Sequence, residues 1–182
     1  NSEDLDTFVA KCDVIIHLAA LNRHHDAHQI YETNTSLVKK LVAALERTNS
    51  KAHVLISSST QEERDNIYGK SKKEGRLLLA EWSKKSQGRC SGLIVPNVFG
   101  PFGNPYYNSV IATFCHQITK NETPKIDIDG DLKLIYVGDL VAEIIKLIRI
   151  KDNTHESVIP HKAEAKVSEI LSILNYFKTA YQ

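Results

Sequence analysis

Four short, almost unbroken apolar runs constrain this chain more than any other feature: 12–19 (CDVIIHLA), 52–58 (AHVLISS), 91–95 (SGLIV) and, more weakly, 134–137 (LIYV). A strand with one wet face alternates polar and apolar residues, whereas a strand covered on both faces does not, so these runs predict a buried parallel sheet. Between them lie helical segments. Leu37, Val38, Leu41, Val42 and Leu45 recur at helical spacing, with Lys39, Lys40 and Glu46 on the other side. Residues 68–85 are rich in Lys, Glu, Leu and Ala. Helices are also expected over 109–119, over 140–150 with Asp139 as its cap, and from about 167 to 177. Strand alternating with helix predicts an α/β layered fold with right-handed crossovers.

A length of 182 residues fits one domain, spanning 1–182. Apolar residues make up 42% and charged residues 25%, ordinary values for a globular protein. The 23 basic and 22 acidic side chains leave a net charge of +1, which gives no electrostatic footprint for nucleic acid. No apolar run is long enough to cross a bilayer, and no signal peptide opens the chain. Cys12, Cys90 and Cys115 are odd in number and far apart, as expected of reduced core thiols in a cytoplasmic protein.

Ligands of open α/β sheets collect at the carboxyl ends of strands. The loops after Ala19, Ser58 and Val95 lie there, the last running through 96–105 (PNVFGPFGNP) with three prolines and two glycines. Residues 151–165 read as a surface excursion.

The strongest chemical signal is Ser57, Ser58 and Ser59 followed by Tyr68 and Lys72. Residues four apart share one face of a helix. An ammonium beside a phenol favours the phenolate and draws its pKa towards the working range. A strand-end hydroxyl can hold a carbonyl oxygen while the phenol exchanges the proton. Such a set suits carbonyl/alcohol redox chemistry, with the hydride coming from a cofactor. The plainer readings are strand-end serines bonded to local backbone and a surface Tyr/Lys pair.

These residues, with their surroundings, resemble the extended short-chain dehydrogenase/reductase superfamily, whose members are of the NAD-dependent epimerase/dehydratase type. Residues 13–20 (DVIIHLAA) look like its fourth strand and the turn near the nicotinamide ribose, Asn34 like its helix asparagine, and 96–100 (PNVFG) like its substrate-loop signature. Ser59 and Tyr68 are nine positions apart in SSSTQEERDNIYGKSKKEG. Together with YYNSVIATFCHQI and LIYVGDLV, that stretch is similar to the reductase domain of bacterial capsular-polysaccharide enzymes of the UDP-N-acetyl-L-fucosamine pathway.

The resemblance implies a Rossmann-like parallel sheet flanked by helices, and reduction of a 4-keto group on a UDP-linked deoxy-sugar. It implies Ser59, Tyr68 and Lys72 as catalytic residues and NADP(H) as cofactor, with NAD(H) left open. The cofactor would lie against Leu18, Ala19, Ala20, Ser57, Tyr68, Lys72, Pro96 and Val98. The substrate would meet Asn97, Tyr107, Asn108 and Ser109. Asn97 also reads as the shaper of a Pro-rich turn, and Tyr107, Asn108 and Ser109 as a helix start with Asn108 as cap. By the same analogy, helices around 34–47 and 68–85 join a homodimer.

Departures from the family pattern carry expectations of their own. The chain holds no Met and no Gly before Gly69, so the glycine-rich first βαβ unit that seats a pyrophosphate is absent from it. That suggests lost upstream sequence. Ile94 and Leu132 stand where relatives often carry Arg, and Ile67 where the family has Pro. Thr60 and Gln61 follow Ser59 where dehydratases have an Asp-Glu pair, which argues against elimination chemistry. A nucleotide-sugar 4-epimerase and a non-catalytic binding module remain as alternatives. His24, His25 and His28 read as a polar loop and helix start, with no metal implied. His17 reads as a strand-end packing residue, and Cys115 and His116 as helix core.

Overall fold

A computed structural model describes residues 2–181. They fold as two compact units, 2–95 with Glu143–Ile159 and Pro96–Ala142 with 160–181.

The first unit holds a four-stranded sheet, β1 (Val14–His17), β2 (His53–Ser59), β3 (Arg89–Val95) and β6 (Thr154–Val158), in the order β1-β2-β3-β6. All three pairings are parallel. The β2–β3 register runs unbroken from His53 opposite Arg89 to Ser59 opposite Val95, so both strands end level with each other. The first three apolar runs therefore form strands, and β2 is buried continuously from His53 to Ile56, but β1 is not covered on both faces: it lies at the sheet edge with Ile16 exposed.

Helices α1 (Ser2–Val9), α2 (Ala27–Arg47) and α3 (Ile67–Lys85) belong to this unit. Asp26 caps α2 by accepting from the His28 amide at 2.9 Å. Asn66 caps α3, accepting from the Gly69 amide at 2.7 Å. Lys84 and Lys85 face the negative end of the α3 dipole. Val38, Leu41, Leu45, Leu79 and Trp82 from the helices bury against Val54 and Ile56 of β2 and Cys90 of β3. Gly75 lets α3 pack closely on α2: a Cβ there would meet Val38 Cγ2 at 3.0 Å. His53, fully buried in β2, is hydrogen bonded through Nε2 to Ser91 of β3 at 2.8 Å.

The second unit holds β4 (Asn97–Phe99), β5 (Asp131–Tyr136) and β7 (Ala163–Lys166), in the order β4-β5-β7. Strand β5 is parallel to β4 and antiparallel to β7. Helices α4 (Val110–Thr119) and α6 (Val167–Tyr181) bury Phe114, Ile118 and Val167 against each other. Helix α5 (Val137–Arg149) begins in this unit.

Several expectations are corrected. The run at 134–137 is not a strand of the parallel sheet; it ends β5 of the second sheet, where only Leu134 and Ile135 are buried. The fourth parallel strand is β6, from the segment read as a surface excursion. Its half-exposed sequence, Thr-His-Glu-Ser-Val, lacks the apolar run of a doubly covered strand. Ala163–Lys166 consists of helix-favouring residues, yet pairing with β5 holds it extended. Asp139 sits inside the first turn of α5 rather than capping it. Ser109, not Asn108, caps α4, accepting from the Ala112 amide at 3.3 Å. Cys115 is exposed, because Phe114 and Ile118 take the inward face and Cys115 lies about 100° round the helix from Phe114. Among the described residues no helix is long and apolar enough to cross a membrane.

Candidate active site

Ser59 is the last residue of β2 and the cap of the 3-10 turn Thr60–Glu63. Its Oγ accepts from the Gln61 amide at 3.2 Å, which uses a lone pair and leaves the hydroxyl proton available to a ligand. Helix α3 starts eight residues later, so Tyr68 occupies its first turn and Lys72 its second, on one face. Gly69 brings that first turn against the 3-10 turn: a Cβ at Gly69 would lie 2.0 Å from the Gln61 carbonyl oxygen. The close approach holds the start of the Tyr/Lys helix against the turn that bears Ser59.

Lys72 is 5% exposed. Burial pulls its amine down to about 8, opposed by the through-space attraction of Glu62, so it still carries its charge at neutral pH. His17, at the end of β1, is pushed below its ordinary value, first by burial and then by the Lys72 charge. It is therefore neutral, and its buried Nδ1 has no hydrogen-bond partner. A cavity of about 10 Å³ lies among His17, Ala19, Asn34, Ser71 and Lys72.

Asn34 joins the strand-end loop to the helix. Its Oδ1 accepts from the Leu21 amide at 2.6 Å, and its Nδ2 donates to the Leu21 carbonyl at 3.1 Å and to Ser71 Oγ at 2.9 Å. Ser71 Oγ in turn donates to the Tyr68 carbonyl at 2.7 Å. The backbone after Leu18, Ala19 and Ala20 is thereby pinned beside α3, with the Leu18 side chain and Ala19 exposed. Ser57 faces β1, donating to the His17 carbonyl at 3.4 Å.

The first unit thus contains Leu18, Ala19, Ala20, Ser57, Ser59, Tyr68 and Lys72. The remaining candidates belong to the second unit. Pro96 is buried and Val98 lies at the surface of β4. Asn97 Nδ2 donates to the Lys133 carbonyl at 3.2 Å. Tyr107 is half-buried, Asn108 is exposed, and Ser109 is engaged as the α4 cap. His24 lies against His25, with ring centroids 4.0 Å apart, and its Nδ1 accepts from the Asp26 amide at 3.1 Å.

Sequence reasoning missed a buried charge pair beside the site. Arg76, 4% exposed, grips Glu62 through Nη2 at 2.7 Å and Nε at 3.0 Å. Its visible signal was an arginine four residues beyond Lys72, on the same face of α3.

A strand-end hydroxyl, a phenol and a buried ammonium on adjoining elements can polarise a carbonyl and exchange its proton. Residues 1–159 match the model of the NAD dependent epimerase/dehydratase family, and the chain belongs to that family. The chain is similar to a UDP-2-acetamido-2,6-beta-L-arabino-hexul-4-ose reductase of Pseudomonas aeruginosa, 30% identical over 179 residues, which cover 97% of this chain and 48% of that protein. Among solved structures, the capsular polysaccharide assembling protein CapF from Staphylococcus aureus superposes with a TM-score of 0.80 at 32% identity, over 98% of this chain and 48% of that one. A UDP-glucose 4-epimerase of Thermotoga maritima shares the fold, with a TM-score of 0.87 at 17% identity, over the full length of this chain and 67% of that one. The chain spans about half the length of the curated relative it matches.

Proposed function

We propose that this chain carries the catalytic set of an NADPH-dependent reductase acting on the 4-keto group of a UDP-linked deoxy-sugar in capsule polysaccharide synthesis. The observation that carries this reading is the buried, charged Lys72 one turn from Tyr68 on a helix that abuts the turn bearing Ser59. The reductase name of the Pseudomonas relative and the capsular role named for CapF support the substrate class.

The cofactor fits what the site offers. Lys72 keeps its charge at neutral pH, so its ammonium can donate to an acceptor such as a ribose hydroxyl. The pinned loop at Leu18, Ala19 and Ala20 presents backbone beside it. A bound nicotinamide supplies the hydride. Ser59 donates its hydroxyl proton to the keto oxygen, Tyr68 delivers a proton to that oxygen as it gains charge, and Lys72 lowers the phenol pKa. Pro96, Val98 and Ser57 are assigned to the cofactor, and Asn97, Tyr107, Asn108 and Ser109 to the nucleotide-sugar. The working form in this reading is a cytoplasmic homodimer.

The test is cofactor stoichiometry, using the product of the complete reading frame and a UDP-linked 2-acetamido-2,6-dideoxy-4-ulose. One NADPH consumed per sugar reduced supports the reductase. Sugar isomerised with the cofactor retained would assign a 4-epimerase, and no turnover with intact sugar binding would assign a binding module.

A further inference from the structure

Glu62 is the most deeply placed carboxylate beside this site, with a side chain only 5% exposed. It lies in the 3-10 turn immediately after Ser59, and three groups converge on it. Arg76 Nη2 donates at 2.7 Å and Nε at 3.0 and 3.2 Å to its two oxygens, and the Ser58 hydroxyl donates to Oε1. Arg76 is anchored from the other side, its Nη1 donating to the His155 carbonyl at 3.1 Å and lying 3.2 Å from Glu156. Gly92 of β3 makes room for the guanidinium stem: a Cβ there would lie 2.5 Å from Arg76 Cδ and 2.3 Å from the His155 carbonyl oxygen. The fold therefore sets aside a glycine in a central strand to admit this pair.

A buried ion pair contributes little to stability relative to well-packed apolar residues, so its presence calls for another role. Arg76 lies one helical turn beyond Lys72, on the face that also carries Tyr68. We propose that Glu62 is a positioning residue: clamped by Arg76 and Ser58, it fixes the turn bearing Ser59 onto α3 and supplies the counter-charge that keeps the Lys72 ammonium in place. The proposal rests on the Ser59/Tyr68/Lys72 reading given above. Glu62 from the 3-10 turn and His17 from β1 act electrostatically with Lys72, and Tyr68 and Arg76 stand one turn to either side of it on its own helix. His17 is neutral and Arg76 is already paired with Glu62. Glu62 is the group whose charge favours the ammonium.

The test uses a readout that needs no turnover. In protein labelled with 13C-lysine, the Cε resonance of Lys72, assigned by its absence from Lys72→Met, is followed against pH in wild type and Glu62→Gln. Glu62→Gln removes the attraction that favours the ammonium and leaves Arg76 unpaired one turn away, so the Lys72 midpoint should fall. Ser58→Ala separates clamp from charge: it removes one hydrogen bond from Glu62 and keeps the carboxylate, so thermal stability should fall while the Lys72 midpoint stays at its wild-type value. A midpoint unchanged in Glu62→Gln, with only the melting temperature lowered, would reduce Glu62 to a structural ion pair and overturn the proposal. If wild type failed to oxidise NADPH, the reductase reading would fall, and the Lys72 titration would still decide the role of Glu62. If wild type is active, Glu62→Gln should also move the alkaline limb of kcat down in pH by the same amount.

Discussion

Replacing Lys72 with methionine should make the folded chain more stable at neutral pH, although it removes a residue assigned to catalysis. An exposed lysine amine titrates near 10.5, whereas burial holds Lys72 at about 8 in the folded chain. The folded state thus binds this proton more weakly than the unfolded state. Below about pH 8 both states are protonated and the whole cost of burying the ammonium is present. The gap between the two values corresponds to about 3 kcal/mol. Between about pH 8 and 10.5 the folded chain has released the proton and the unfolded chain has not, so wild-type stability climbs with pH. Methionine keeps the apolar stem without the charge, so Lys72→Met should gain about 1–3 kcal/mol at pH 7, an advantage that shrinks as the pH approaches 10. Urea denaturation of both proteins from pH 6.5 to 9.5 reads the difference directly. A variant less stable than wild type at pH 7, or a difference that stays flat across the range, would refute the assignment of Lys72 as a strained, buried cation. Functional groups are often held at such a cost.

Gly69→Ala places a methyl 2.0 Å from the Gln61 carbonyl oxygen, so the first turn of α3 must back away from the turn bearing Ser59. A loss of about 1–3 kcal/mol in urea unfolding and a fall in kcat are expected, and wild-type values for both would show that the close approach is not needed. Asn34→Ala strips the Leu21 amide and carbonyl of their partner. Hydrogen exchange at Leu21 should accelerate at a stability cost of about 1–3 kcal/mol, and retained protection there would contradict the clamp. Burial pushes the Cys90 thiol up to about 12, whereas Cys115 is exposed. Ellman's reagent should therefore modify Cys115 in the folded chain and reach Cys90 only on unfolding; rapid labelling of native Cys90 would deny that α2 and α3 cover the face of β3 that carries it.

The parallel core was legible because strands covered on both faces leave continuous apolar runs, as in 52–58 and 91–95. Asp26 and Asn66 cap helices whose periodic faces were also plain. What escaped was set by tertiary pairing. Strand β6 is half-exposed, and β7, of Ala and Glu, is held extended only by β5. The spacing of four gave Tyr68 and Lys72 a shared helix face, whereas the choice of Ser59 and the catalytic role of all three came from the family resemblance. The Glu62–Arg76 pair was not found, because nothing in a run of charged residues tells which one turns inward. Its signals were Arg76 itself, one helical turn beyond Lys72, and Gly92, a glycine within a strand that leaves room beside β3.

Isotope transfer tests the central claim most directly. With NADPH deuterated at both C4 positions of the nicotinamide and a UDP-linked 4-keto sugar, deuterium should appear at C4 of the sugar product. The reaction should be abolished or slowed at least about 100-fold in Tyr68→Phe, the scale of a lost general acid. A Tyr68→Phe protein that transfers deuterium at the wild-type rate, or a wild-type product free of deuterium, would contradict the account.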